Sequence, residues 1–145
     1  MQDIDEITGA VLDVALRLHR ELGPGLLESV YEALLAARLE TLGWQVERQK
    51  LIGVEFDTIR LEAAFRADLL IEGRLLVEIK SVERLAPVHS KQLLTYIRLL
   101  KQPVGLLVNF GGETLKEGVR RVVNDYRPSA PPLTSPRLRV NDSTY

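Results

Sequence analysis

The feature that most constrains the fold is a short region in which charged residues interrupt two apolar segments. Residues 65–71 and 74–82 have the composition of two β-strands that form a hairpin. Asp68 lies in the first strand, and Glu78 and Lys80 lie in the second. Charged groups inside a buried strand are costly unless they are paired or bind a metal. These three residues therefore predict a site that holds a divalent cation beside a fixed positive charge.

The length of the hairpin loop decides whether the two carboxylates meet. Residues i and i+2 of a strand share a face, so Glu78 and Lys80 point the same way. A two-residue turn at Glu72-Gly73 would pair Asp68 with Val77 and place Asp68 on the opposite face. A three-residue loop would instead place Asp68 opposite Glu78, because a slip of one residue flips every side chain. Convergence of the carboxylates therefore requires an odd loop or a bulge.

If they converge, Asp68 and Glu78 predict a site for Mg²⁺ or Mn²⁺. Two nearby carboxylates repel each other, and a hard cation that prefers oxygen ligands removes the conflict. Such a metal lowers the pKa of a bound water and stabilises charge on a phosphate, while Lys80 would orient the water or stabilise developing negative charge. This chemistry suits hydrolysis of a phosphodiester bond. The alternative is a surface hairpin in which Lys80 pairs with a carboxylate across the strands, which contributes little.

Three further polar residues are candidates for the same site. Gln92 and Tyr96 lie four residues apart on a predicted helix and share one face. The Gln92 amide could hold a phosphate or the attacking water, and the Tyr96 hydroxyl could contact substrate or Lys80. Alternatively, Tyr96 is an ordinary core residue with a satisfied hydroxyl. Glu28 is either an outer metal ligand or water-positioning acid, or a carboxylate that the dipole of its helix favours.

The rest of the chain predicts a three-layer α/β domain with a mixed central sheet flanked by helices. Residues 44–56 read as one long strand or two short ones, and residues 104–110 as a strand that is covered on both faces. We expect residues 1–126 to form this domain and the Pro-rich residues 127–145 to form a tail without regular structure. Apolar spacing predicts helices at residues 4–22, 27–42, 87–100 and 114–126. The residues expected on their inward faces are Ile7, Val11, Val14, Leu18 and Leu22 in the first helix, Leu27, Val30, Tyr31, Leu34, Leu35 and Leu39 in the second, and Leu115, Val119, Val122 and Val123 in the last.

Composition limits the classes of protein to consider. The net charge of −1 lacks the basic excess that is typical of nucleic-acid-binding domains. The chain has no Cys, which excludes disulfides and thiolate metal sites and permits the cytoplasmic location that we expect. Its apolar runs are shorter than the ~18 residues of a membrane span, so we expect no membrane partner.

The candidate residues as a set resemble a known group of enzymes. Asp68, the pair Glu78-x-Lys80 and the element Gln92-x-x-x-Tyr96 resemble the motifs of the PD-(D/E)XK nuclease superfamily. The Gln-x-x-x-Tyr element looks like that of the RecB-like branch. The resemblance implies a restriction-endonuclease-like domain and a metal-dependent nuclease.

A narrower resemblance comes from other parts of the chain. Residues 19–31 and the strand at residues 104–110 look like the GxxExxxR protein family, although Glu32 stands where that family's pattern has Arg. Together the resemblances cover roughly residues 4–124.

The superfamily resemblance implies roles for individual residues. Metal ligands would be Asp68, Glu78 and the backbone carbonyl of Ile79, with Mg²⁺ or Mn²⁺ as cofactor. The catalytic set would comprise Lys80 as the catalytic lysine, Glu28 as the acidic residue of the first helix, and the helix pair Gln92 and Tyr96. The expected partner is nucleic acid, with DNA favoured over RNA. A catalytically inactive binding module and a homodimer that uses the first helix are the alternatives.

Overall fold

Three α-helices flank a six-stranded mixed sheet in the computed structural model, which describes residues 3–124 and the backbone of residues 138–141. The strands follow chain order across the sheet, and β3 and β4 are its parallel neighbours, whereas the other described pairs are antiparallel. This architecture confirms the predicted α/β class. The elements are α1 Ile4–Leu22, α2 Glu28–Thr41, β1 Val46–Phe56, β2 Ile59–Ile71, β3 Leu75–Lys80, α3 Pro87–Leu100, β4 Val104–Asn109, a 3₁₀ turn at Lys116–Gly118, β5 Val119–Asn124 and β6 Leu138–Asn141.

Helix α1 has the predicted bounds and the expected signals at both ends. The Asp3 side chain accepts a hydrogen bond from the Asp5 N–H, and Gly23 ends the helix with a φ of 72°, which favours glycine. Leu22, predicted on the inward face, is 44% exposed because it occupies the last helical position. The other predicted inward residues are buried, namely Ile7, Val11, Val14 and Leu18.

The helices divide between the two faces of the sheet. Helices α1 and α2 contribute to one apolar cluster, and α3 contributes to a second cluster on the opposite face. The bounds of α3 agree with the prediction. The prediction for α2 is only partly right, because Leu27, Val30 and Leu34 are exposed although we predicted them on its apolar face. Its buried residues are Tyr31, Glu32, Leu35, Ala36 and Leu39.

Strands β1 and β2 form one long hairpin, which settles the choice between one strand and two for residues 44–56. Asp57 and Thr58 form its two-residue turn, and both have positive φ angles, as the turn types that match strand twist require. The register shifts between Ile52 and Val54.

The helix predicted at residues 114–126 is wrong. This segment contains the short 3₁₀ turn and then β5, which pairs antiparallel with β4. Leu115, Val119 and Val122 are buried as expected, so their spacing fits both structures, whereas Val123, also predicted to face inward, is half-buried. The β-branched residues of the segment favour a strand, and β4 provides the neighbouring strand to which β5 is hydrogen-bonded.

Part of the predicted irregular tail also forms a strand. Residues 138–141 pair with β5, and the other residues of the 127–145 segment lie outside the described part of the chain. The division into a domain at 1–126 and a tail stays a prediction. Among the described residues, no helix is long and apolar enough to cross a membrane.

Candidate metal centre

The β2–β3 hairpin has the odd loop that convergence of the carboxylates requires. Leu70 lies opposite Leu76 and Ile71 lies opposite Leu75, which leaves residues 72–74 as the loop. Glu72 and Gly73 have φ angles of 54° and 66°. The register predicted for a three-residue loop is therefore confirmed, and its continuation brings Asp68 opposite Glu78.

Asp68 and Glu78 lie where the backbone pairing of β2 and β3 ends. The last Cα pair is Leu69 with Val77, and the next hydrogen bonds use side chains. The Asp68 N–H donates to Glu78 Oε2 at 2.9 Å, and the Ile79 N–H donates to Asp68 Oδ2 at 2.8 Å. Carboxylate oxygens thus take the place of backbone carbonyls, and both carboxylates sit in the gap between the strands.

Glu78 occupies an environment that disfavours its charge. Burial and, next, the charge of the neighbouring Asp68 raise the pKa of the Glu78 carboxyl to about 8, although the charge of Lys80 acts in the opposite direction. In the absence of a cation, this environment favours the protonated form of the Glu78 side chain. A positive ion between the two carboxylates would replace that proton.

Tyr96 lies close to the carboxylates, whereas Gln92 is on the exposed part of α3. Burial raises the pKa of the Tyr96 hydroxyl, and the charges of Glu78 and Asp68 raise it further. The Tyr96 ring stacks on Phe65 with a centroid distance of 4.1 Å and an interplanar angle of 4°. Gln92 lies one turn nearer the start of α3 and is exposed.

Glu28 is tied to the end of β3, immediately after Lys80. The Ser81 N–H donates to Glu28 Oε2 at 3.3 Å, and Ser81 Oγ donates to the Leu26 carbonyl at 2.7 Å. These contacts hold the first turn of α2 against the strand that carries Glu78 and Lys80. Lys80 itself is partly exposed, so its ammonium group can reach solvent or a substrate.

Sequence reasoning missed a second set of polar residues that contacts Asp68. Gln49 Nε2 donates to Asp68 Oδ1 at 3.2 Å and to Glu32 Oε1 at 2.6 Å. Arg48 Nε lies 3.1 Å from Glu32 Oε2. Glu32 carries a signal in the sequence, because it is an acidic residue beside the inward-facing Tyr31. Gln49 has no such signal, since its segment is polar on both sides.

Asn109 is a further residue that the sequence analysis missed. Its Oδ1 accepts from the N–H groups of Val82 and Gly111, and its Nδ2 donates to the Val82 carbonyl. This buried side chain fixes the segment that follows Lys80 against the end of β4. The signal was a single Asn in the otherwise apolar segment at residues 104–110.

The donor set fits a magnesium-like ion that keeps some of its water. Within residues 3–124, no group of three or more His, Cys, Asp or Glu residues could hold a metal. Mg²⁺, however, is commonly bound by one or two carboxylates together with water and substrate phosphates. The Ile79 N–H points at Asp68, and the N–H and C=O of one strand residue point to the same side. The Ile79 carbonyl therefore faces the same gap as the carboxylates.

The fold and the site define a mixed-sheet α/β domain with two carboxylates and a lysine where two strands separate. A family model described as the PD-(D/E)XK nuclease superfamily matches residues 5–122. The chain therefore belongs to the PD-(D/E)XK nuclease superfamily. No curated protein and no solved structure matched the chain. The resemblances to the RecB-like branch and to the GxxExxxR family stay predictions.

Proposed function

We propose that this protein is a metal-dependent nuclease that hydrolyses phosphodiester bonds in nucleic acid. Membership of the superfamily supports a nuclease-like domain. The observation that carries the proposal is the placement of Asp68 opposite Glu78 in the gap between β2 and β3, with Lys80 two residues further along the same strand. The buried Glu78 carboxyl opposite the half-buried Asp68 is poorly suited to a purely structural role, because each carboxylate disfavours the charge of the other.

Asp68, Glu78 and the Ile79 carbonyl would hold Mg²⁺ or Mn²⁺. When bound, the metal supplies an activated water and neutralises charge on the phosphate. The hydrogen bonds from Ile79 to Asp68 and from Asp68 to Glu78 keep both carboxylates aimed into one gap. Lys80 would stabilise the negative charge that develops on the phosphate in the transition state.

The remaining candidates would position substrate and water around this centre. Glu28 lies beside the end of β3 and would orient the attacking water. Tyr96 keeps its proton because its pKa is raised, so its hydroxyl can donate a hydrogen bond to a phosphate oxygen. The exposed Gln92 amide, one turn away, would contact the substrate backbone.

The preference for DNA over RNA belongs to this proposal. It rests on the resemblance of Gln92-x-x-x-Tyr96 to the RecB-like branch. Cleavage assays on DNA and RNA of the same sequence, in single- and double-stranded form, test it directly. Faster cleavage of RNA than of DNA would reverse the preference.

We also propose a homodimer, but its interface lies on α2 and not on the first helix, where the sequence analysis expected it. The apolar face of α1 is inside the domain, so it is not free to form an interface between copies. The exposed Leu27, Val30 and Leu34 on α2 offer apolar surface instead. Sedimentation equilibrium of the wild type and of a Leu27→Ser/Leu34→Ser variant tests this location. A wild-type monomer, or a variant that remains a dimer, would contradict it.

A non-catalytic binding module is the second candidate function. The observation in its favour is that the described site offers two side-chain carboxylates, and that the raised pKa of Glu78 favours its protonated form. A cation can bind at such a site only if Glu78 releases its proton, and this release costs free energy and weakens metal binding. The two candidates differ in whether the centre binds a divalent cation and cleaves nucleic acid.

Calorimetric titration with Mn²⁺ is the first test. The wild type is compared with Asp68→Ala/Glu78→Ala, and the matched control is Glu40→Ala/Glu55→Ala, which removes two exposed carboxylates. We expect binding by the wild type and the control but not by the site variant. Equal binding by all three proteins would place the metal elsewhere. Absence of both Mn²⁺ binding and Mn²⁺-dependent cleavage in the wild type would favour the binding module.

A further inference from the structure

We propose that Gln49 is a positioning residue that fixes the Asp68 carboxylate for metal binding, and that Glu32 and Arg48 hold Gln49 in place. The inference deepens the proposed function and rests on it, because it concerns the same metal centre. It is carried by a continuous set of hydrogen bonds that runs from Arg48 through Glu32 and Gln49 to Asp68.

The orientation of the Gln49 amide follows from its partners. Both partners are carboxylate oxygens, and an ionised carboxylate only accepts hydrogen bonds. The group that faces them must therefore be the NH₂ of the amide. Its two hydrogens suffice for Asp68 Oδ1 and Glu32 Oε1, so the contacts of Gln49 define a single position for the amide.

Glu32 is the buried residue to which both Arg48 and Gln49 are bonded. Its side chain is 6% exposed, and a buried carboxylate needs hydrogen-bond donors and a compensating charge. Arg48 supplies the charge at 3.1 Å from Oε2, and Gln49 supplies a donor at 2.6 Å from Oε1. Because α2 carries Glu32 and β1 carries Arg48 and Gln49, the contacts also tie the helix to the sheet.

The backbone at Gln49 is unusual in a way that agrees with this role. Its φ is 50°, inside strand β1, where residues other than glycine rarely adopt positive values. Such conformations persist where the surroundings over-determine them, and they are often found at functional sites. Across the strand pair, Arg48 lies opposite Leu69 and Lys50 lies opposite Ala67, which puts Gln49 opposite Asp68.

The consequence is an Asp68 carboxylate with both oxygens held. Oδ2 accepts from the Ile79 N–H, and Oδ1 accepts from Gln49. Each oxygen has two lone pairs, so one on each remains for a cation. Residues that orient metal ligands in this way commonly change metal affinity when they are replaced.

The test compares Mn²⁺ affinity in two matched variants. Gln49→Met keeps the length of the side chain and removes its donors, and Gln45→Met makes the same change at an exposed position just before β1. We expect Gln49→Met to weaken Mn²⁺ binding by about 10-fold or more, as loss of a residue that orients a ligand does. We expect Gln45→Met to bind like the wild type. Wild-type Mn²⁺ affinity in Gln49→Met would overturn the inference and leave the proposed function intact.

Amide hydrogen exchange at Ile79 gives a readout that needs no metal. Its N–H is protected by Asp68 Oδ2, so an Asp68 side chain freed by Gln49→Met should expose this amide to faster exchange. Val77 is an internal control, because it belongs to the paired part of β3. Unchanged exchange at Ile79 would overturn the inference even if the wild type bound no Mn²⁺, whereas absence of Mn²⁺ binding alone counts only against the proposed function.

Discussion

The Asp68 N–H donates to Glu78 Oε2 at 2.9 Å, so the carboxylate of Glu78 is hydrogen-bonded to the backbone of the residue that carries the second carboxylate. This contact replaces a backbone bond of the sheet at the point where β2 and β3 separate. This one hydrogen bond therefore accounts for both the gap between the strands and the position of the Glu78 side chain. Because the folded protein holds Glu78 in this position, the free energy of unfolding depends on whether Glu78 is protonated.

The stability of the metal-free protein should decrease with pH because of Glu78. Its pKa is about 8 in the folded protein and 4.5 in the reference state, so folding takes up a proton between these values. The stabilising contribution is fully present below pH 4.5 and is lost as pH rises to about 8. The slope from a single group is at most about 1.4 kcal/mol per pH unit. Glu78→Gln should remove this part of the slope, measured by urea unfolding across the same pH range.

The control for this experiment is Glu40→Gln, which neutralises an exposed carboxyl on α2. It should retain the wild-type dependence of the unfolding free energy on pH. If Glu78→Gln had the same pH dependence as the wild type, the raised pKa of Glu78 would be refuted.

Lys80→Met should reduce nucleic-acid cleavage by roughly 10²–10³-fold, as loss of one group that stabilises transition-state charge does. Lys80 is partly exposed at the end of β3, so its replacement should leave the fold intact. Lys91→Met is the matched control, because it removes the same charge from an exposed position on α3. Cleavage rates with Mg²⁺ and circular dichroism are measured for all three proteins. Wild-type cleavage by Lys80→Met would exclude the proposed role.

The sequence reduced the β2–β3 register to two possibilities but did not choose between them, and it did not indicate the residues that support the site. The three-residue loop was the alternative that brings Asp68 opposite Glu78, and Gly73 accommodates the φ of 66° in the loop that the structure has. The role of Gln49 depends on strand β1 lying beside β2 and on helix α2 above it. Such contacts join distant segments, and neither the composition nor the spacing of residues near Gln49 indicates them.

The wrong helix at residues 114–126 has a similar origin. Leu115, Val119 and Val122 satisfy helical spacing, yet the same residues are also inward-facing in the observed turn and strand. Hydrogen bonds to β4 decide between the two structures, and they depend on a partner strand that periodicity does not reveal. Helices α1 and α3 were predicted well because long amphipathic segments with clear end signals need less information from elsewhere.

Tyr31→Phe should destabilise the protein by about 1–2 kcal/mol, because buried polar groups would lose a hydrogen-bond partner. The Tyr31 hydroxyl donates to the Gly23 carbonyl at 2.5 Å and accepts from the Leu26 N–H at 3.2 Å. The Tyr31 ring stacks on Phe110 at 4.4 Å and is retained in the variant. Urea unfolding measures the change. A loss below about 0.5 kcal/mol would show that the hydroxyl does not hold the connection between α1 and α2.

Gly111→Ala and Gly112→Ala should differ sharply although the two positions are adjacent. A Cβ at Gly111 would overlap the backbone of Val82, whereas the nearest atom to a Cβ at Gly112 is the Thr114 carbonyl oxygen at 3.5 Å. We therefore expect Gly111→Ala to lower the free energy of unfolding by about 3 kcal/mol, and Gly112→Ala to change it by less than about 0.5 kcal/mol.

The same pair of variants connects stability to the candidate site. Asn109 bonds both Val82 and Gly111, so displacement of Val82 in Gly111→Ala disturbs the segment directly after Lys80. Chemical denaturation measures stability, and the amide signals of Ser81 and Val82 in nitrogen–proton correlation spectra report the displacement. Equal stability of the two variants, or unshifted Ser81 and Val82 signals in Gly111→Ala, would show that the close approach of these backbones does not position the end of β3.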